Sequence, residues 1–355
     1  MRKIFIVLLV FVWLQQSIIL HSQTIRPVKD NVGFCWDAAE MDSFLKFLSG
    51  STPGNDFSAR NLIGGISVHD DYLYAGKVYF PLYRLIRTKE VLIFGVTHGS
   101  VRKEMGPLSN VLILDEFDKW RGAYNDAGIS PLREIIKSKL PPGSFIVSNK
   151  AHSIEHSIEA LIPFLQSYNR EIKITPVMVT QMPFGKMDSL STKLATVIAA
   201  YMRERNLVPG KDIFFLISND ANHYGEDFNN SPYGLDAAAH ETGTKNDLRI
   251  AGRYIDGPID KNDLLELTKE IWPDSTSKKQ IPIWCGRYPV VFGLLTIMKT
   301  VQLLDLGDIT GKLFRYSDTY TEKVLPVKNT SMGLTAPFSL KHWVGWFTAG
   351  LYIHR

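Results

Sequence analysis

Apolar residues recur along this chain in two rhythms. Over 38–48, Met41, Phe44, Leu45 and Leu48 fall at the three- and four-residue spacing of one helix face, and the same spacing over 190–205 marks the clearest amphipathic helix. Between such stretches lie short, continuous apolar runs of the kind buried parallel strands show, at 65–68, 91–96, 172–178 and 213–217. Further helices are predicted over 76–87, from Pro131 to the stop at Pro141-Pro142-Gly143, from His156 to about Tyr168, over 262–272 and over 290–304. Residues 111–114 read as extended, 278–283 lead into Trp284-Cys285-Gly286, and the pattern weakens over 229–257. Residues 313–320 and 343–354 read as closing antiparallel strands. Strand and helix alternating, with a late antiparallel pair, predict an α/β fold: a three-layer α/β/α sandwich around a mixed, largely parallel sheet. No repeat or low-complexity linker divides the chain, so a single domain is expected over 23–355.

Three of the apolar runs lead into histidine: one reaches His69, one His98, and one passes through Ser218-Asn219-Asp220 to His223. In open α/β sheets ligands gather beyond the carboxyl ends of strands, so these imidazoles are expected to share a site. Cys285 adds a sulfur donor, and imidazole with thiolate suits a transition metal. Gly95 and Gly99 flank the His98 turn and permit close backbone approach to a ligand. Asp220 and His223, three residues apart, have the makings of a general acid/base pair. His156, with Glu159 three positions on, fits either a helix cap or a partner that orients a ligand. Serine-hydrolase elbows, zincin helices, phosphate loops and dinucleotide fingerprints are all absent from the sequence.

Composition narrows the surroundings of this chemistry. The 355 residues carry a net charge of +4 with no dense Lys/Arg stripe, so no nucleic-acid partner is expected. Residues 1–22 combine a basic start, an apolar stretch and a polar junction after Ser22, which reads as a secretory leader. Cleavage there removes Arg2 and Lys3, lowers the net charge to +2 and leaves a periplasmic or extracellular protein without a membrane anchor. Cys35, between Phe34 and Trp36, is expected to pack as a small hydrophobe rather than pair with Cys285. Cys285 is expected at a helix start, where the positive helix end favours its thiolate.

Taken in order, His69, His98, His156-Ser157-Ile158-Glu159, Ser218-x-Asp220-x-x-His223, Cys285-Gly286-Arg287-x-Pro289 and Ala349-Gly350-Leu351-Tyr352-Ile353-His354 resemble the Memo family, whose bacterial members include protein B of the AmmeMemoRadiSam system. The resemblance covers about residues 26 to 355. It implies an α/β domain similar to class III extradiol dioxygenases, with His69, His98 and Cys285 at metal-binding positions and a link to copper or iron redox chemistry. Asp220 and His223 match the polar pair beside the metal, and His156, Glu159 and Arg287 its surroundings. The chain departs from the family pattern at Val68-His69-Asp70-Asp71, where Pro-His-Ala-Gly is usual, and at His98-Gly99, where paired histidines are common. The resulting expectation is a metal-dependent oxidoreductase acting on a small-molecule or peptide ligand. A non-catalytic metal- or peptide-binding protein and a zinc-type metallohydrolase are the alternatives.

Overall fold

Four parallel strands form the centre of the sheet, in the order Lys173–Val179, Glu90–Gly95, Ile213–Ser218, Leu62–Ser67. The computed structural model describes residues 23–52, 57–272 and 284–354, so the leader and the stretch 278–283 lie outside the described residues. Side chains alternate across the central strands as a period of two requires. Val91 and Ile93 enter one apolar core while Leu92 and Phe94 enter the other, and Phe214/Leu216 and Phe215/Ile217 divide in the same way. Both faces of these strands are therefore buried, which is why the sequence shows continuous apolar runs there.

The expected closing pair is present as Asp308–Asp318 and His342–His354, antiparallel to each other, with His342–His354 also antiparallel to Leu62–Ser67. At the opposite side Ala127–Ile129, Lys119–Trp120 and Ile25–Arg26 extend the sheet. Helices Ala38–Ser51 and Tyr72–Tyr83 supply one core, and Phe184–Glu204 and Arg287–Leu303 supply the other, completing a three-layer α/β/α sandwich. Among the described residues no helix is long and apolar enough to cross a membrane.

Several predicted boundaries shift for identifiable reasons. The helix placed at 76–87 runs over Tyr72–Tyr83, and nearly all of its side chains are buried, so no polar stripe marks its start. The helix placed at 190–205 begins at Phe184, straight after Pro183. The single helix expected from His156 to about Tyr168 is instead a 3₁₀ turn, Glu159–Leu161, and the helix Ile162–Tyr168 with Pro163 in its first turn, preceded by a separate short helix, Asn149–Ile154. The weak stretch 229–257 contains an 18-residue helix, Ala237–Tyr254, capped by Asp236 accepting the Ala239 N–H. Its buried positions begin with Ala239, Gly243 and Asp247, small or polar residues that hide a helical period.

Parallel register is what assembles the site. Ser67 lies opposite Ser218, and Phe94 opposite Ile217, so three adjacent strands finish at one level. The loops carrying His69, His98 and Asp220 therefore open side by side.

Candidate metal centre

His69, His98 and Cys285 converge at that sheet edge. Their donor atoms all lie within 4.8 Å of one another, and His69 Nε2 is 3.3 Å from Cys285 Sγ. Two donors each about 2.0–2.3 Å from one ion are at most about 4.6 Å apart, so small side-chain rotations bring this set onto a single metal. Cys285 reaches the edge because Gly286 passes tight against Asn219, where a Cβ would come within 2.4 Å of Asn219 Oδ1. The Asp220 backbone N–H then donates to Cys285 Sγ at 3.3 Å.

Hydrogen bonds behind each imidazole fix which nitrogen faces the site. The Ser218 hydroxyl donates to the Ser157 carbonyl at 2.7 Å, so toward His69 Nδ1, 2.8 Å away, it can only accept. The His69 proton thus sits on Nδ1 and the Nε2 lone pair faces Cys285. His98 is held by Glu155, which accepts from its Nδ1 at 2.7 Å and from its backbone N–H at 2.9 Å. Glu155 also accepts from the N–H groups of His156 and Ser157, both at 2.9 Å. Burial alone would raise the Glu155 carboxyl, but His98 and His156 hold it well below its ordinary value. Ser218→Ala and Glu155→Gln are accordingly expected to weaken metal binding about 10- to 100-fold without abolishing it, as read by competition against a metal chelator.

Electrostatics favour a neutral imidazole at His69. Burial, reinforced by His98 and His156, pushes His69 well below its ordinary range. The His156 ring stacks on His98 at 4.6 Å with its plane inclined by 8°, and burial with the neighbouring His98 lowers His156 to about 4. Neutral nitrogens are the form a metal takes. For Cys285, burial and then the Asp220 carboxylate drive the thiol well above its ordinary value. The helix Arg287–Leu303 begins just beyond it, as expected, yet its positive end does not outweigh that burial. A cation at the donors is what would deprotonate this sulfur.

The Asp220 and His223 side chains approach without bonding, with Oδ2 4.0 Å from Nε2. Asp220 turns mainly to His69, accepting its backbone N–H at 2.9 Å and standing 3.4 Å from its Nε2. His223 Nε2 is buried with no hydrogen-bond partner, and burial with His98 and His156 nearby lowers the ring to about 3. Asp220, His223 and Cys285 form a second set of donors within 4.8 Å of one another, sharing the sulfur with the first.

Other residues singled out in the sequence hold structure. Glu159 points away from the centre: it pairs with buried Arg26 and accepts the N–H groups of Lys29 and Asp30, pinning the N-terminal segment. The partner that orients a ligand is Glu155, immediately before His156 and just outside the His156 to Glu159 motif. Arg287 donates to the Trp284 carbonyl at 2.8 Å. Cys35 and Cys285 are both free, and Cys35 is sealed in the core between the sheet and the helix Ala38–Ser51. The two departures after His69 also prove to be structural partners. Asp70 accepts from Trp346 Nε1 at 2.9 Å, and Asp71 accepts from the Thr335 N–H at 2.6 Å, tying the loop before the last strand to the site. Burial and Asp70 raise the Asp71 carboxyl to about 7.

Two cavities adjoin the donors. One of 420 Å³ reaches His69, Asp70, Asp220, Thr335 and His342, and one of 190 Å³ reaches Cys285, Arg102 and Arg287. His98, His223 and Phe228 line both.

Comparison with known proteins finds relatives of one family. A MEMO1 family protein of Aquifex aeolicus is 28% identical over 191 residues, covering 53% of this chain and 63% of that protein. One from Methanosarcina barkeri is 23% identical, covering 52% and 63%, and one from Pyrococcus furiosus is 24% identical, covering 63% and 74%. The chain thus spans somewhat under two thirds of the length of the first two. The sequence pattern of Memo-like proteins matches residues 34–327, which takes in every donor described above, and the chain belongs to the Memo-like family.

Proposed function

We propose that this protein is an exported, metal-dependent oxidoreductase in which His69, His98 and Cys285 hold a copper or iron ion. The observation that carries the reading is the convergence of two imidazoles, each with its Nδ1 engaged from behind, on a sulfur within 4.8 Å. Neutral imidazole nitrogens and a thiolate suit an ion that changes valence, and such an ion supplies one-electron chemistry toward oxygen or a small molecule. The chain's own share is positional and protonic. Ser218 and Glu155 hold the rings, the Asp220 N–H holds the sulfur, and His223 Nε2, neutral and unpartnered, takes up a proton. Export is supported by the leader pattern over 1–22.

Elemental analysis of the purified mature protein, repeated with spectroscopy before and after a reductant, tests this directly. Stoichiometric copper or iron whose spectrum cycles with reductant is the expected result. Stoichiometric zinc with turnover of esters or amides would replace the reading by metal-assisted hydrolysis, for which the same donors suffice.

A further inference from the structure

The 190 Å³ cavity beside Cys285 is basic at one end and apolar along its walls. Arg102 stands at its mouth and half-buried Arg287 further in, with Val96, Leu108 and Val179 along the sides. Neither guanidinium meets a carboxylate among the described residues. Arg102 donates to the Thr97 carbonyl and Arg287 to the Trp284 carbonyl, while Arg287 Nε is buried with no hydrogen-bond partner among the described residues. Two guanidiniums without a carboxylate partner among the described residues repel each other across one small cavity, and burial together with Arg287 pulls Arg102 below its ordinary value. The positive end of the 17-residue helix Arg287–Leu303 adds charge of the same sign. Gly99 leaves the space over the Arg102 guanidinium open, where a Cβ would meet nothing nearer than Arg102 Nη2 at 3.7 Å. By contrast, the 420 Å³ cavity on the other side of the donors carries Asp30, Asp70, Asp71 and Asp220.

We propose that the 190 Å³ cavity is the substrate site for a small aliphatic carboxylate, whose charged head bridges Arg102 and Arg287 while its carbon chain lies against the apolar walls. A planar guanidinium fork matches a carboxylate in geometry as well as charge. The volume is below the roughly 300–1,000 Å³ of sites for drug-sized ligands, which restricts the occupant to a few carbons. His98, His223 and Cys285 line the same cavity, so an acid anchored on the guanidiniums presents its remaining atoms to the metal donors. This assignment rests on those donors being the reactive centre. Its test is made on binding alone, in chelator-treated as well as metal-loaded protein, so that the two ideas fail separately.

The probe is butyrate, followed by calorimetry, with butyramide as the uncharged control and inorganic phosphate as competitor. Saturable butyrate binding in the millimolar range or tighter is expected with and without metal, weakened by salt and not shared by butyramide. Arg102→Gln should weaken it by at least about tenfold, the order of one lost charge-assisted hydrogen bond. Gln181→Glu, an exposed change on the cavity lining, should do the same by adding a like charge while leaving both guanidiniums and the fold untouched. Unchanged butyrate affinity in both variants, binding that occurs only in metal-loaded protein, or phosphate binding tighter than butyrate would each overturn the assignment.

Discussion

Cys285→Ser will strip the protein of metal, and Cys35→Ser will leave its metal content unchanged. Cys285 is the only sulfur among the grouped donors, and its Sγ is 3.3 Å from His69 Nε2. A serine hydroxyl occupies nearly the same volume but does not ionise in the working pH range, so the substitution removes the anionic donor and little else. Two imidazoles remain, a set that competes poorly for copper or iron against even a weak chelator. Cys35 makes the matching control. It lies in the opposite core, donates to the Asp37 carbonyl at 3.4 Å, and burial lifts its thiol to about 12, so it is neither near the donors nor a thiolate. Metal per chain after gel filtration in chelator, with intact-mass analysis of the unreduced protein, gives the answer. Equal metal loss in the two variants, or a quantitative Cys35 to Cys285 disulfide in the native protein, would remove Cys285 from the centre.

How much of this was legible in advance follows from what each residue contacts. The four central strands were readable because both faces are buried, and that leaves an uninterrupted apolar run whatever the neighbours are. Convergence of His69, His98 and Asp220 was readable too, since parallel strands in register end together. The helix Ala237–Tyr254 was not, because its buried face starts on Ala239, Gly243 and Asp247 and reaches a large apolar residue only at Ile250. Nor were the roles of Glu155 and Glu159. Both carboxylates flank His156, and only the third dimension shows one accepting from His98 Nδ1 and the other from Arg26. Spacing in sequence defines neighbours along a helix, and this segment is broken into three pieces. The Asp220 and His223 pair illustrates the same limit: the three-residue spacing suggests an acid/base pair, yet the loop turns Asp220 toward His69 and leaves 4.0 Å to His223.

That gap makes the His223 variants informative. His223→Ala is expected to keep its metal while slowing reductant-driven oxygen consumption by roughly 10²- to 10⁴-fold, the range typical of a lost acid/base group. The physical ground is the state of the two side chains. Burial and the surrounding histidines lower His223 to about 3, so it is neutral near pH 7 and its unpartnered Nε2 is free to take a proton. Burial and Asp70 push the Asp220 carboxyl the other way, well above its ordinary value, 4.0 Å from that nitrogen. Asp220→Asn keeps an oxygen that can accept the His69 backbone N–H, so it should slow turnover in the same direction while sparing the metal. The competing possibility is equally concrete, because Asp220, His223 and Cys285 also bring their donors within 4.8 Å. If His223→Ala and Asp220→Asn lose metal in step with His69→Ala and His98→Ala, the ion sits on this second set and the pair is structural to the centre. Retained metal with slowed turnover places the ion on His69, His98 and Cys285 and leaves His223 to move the proton.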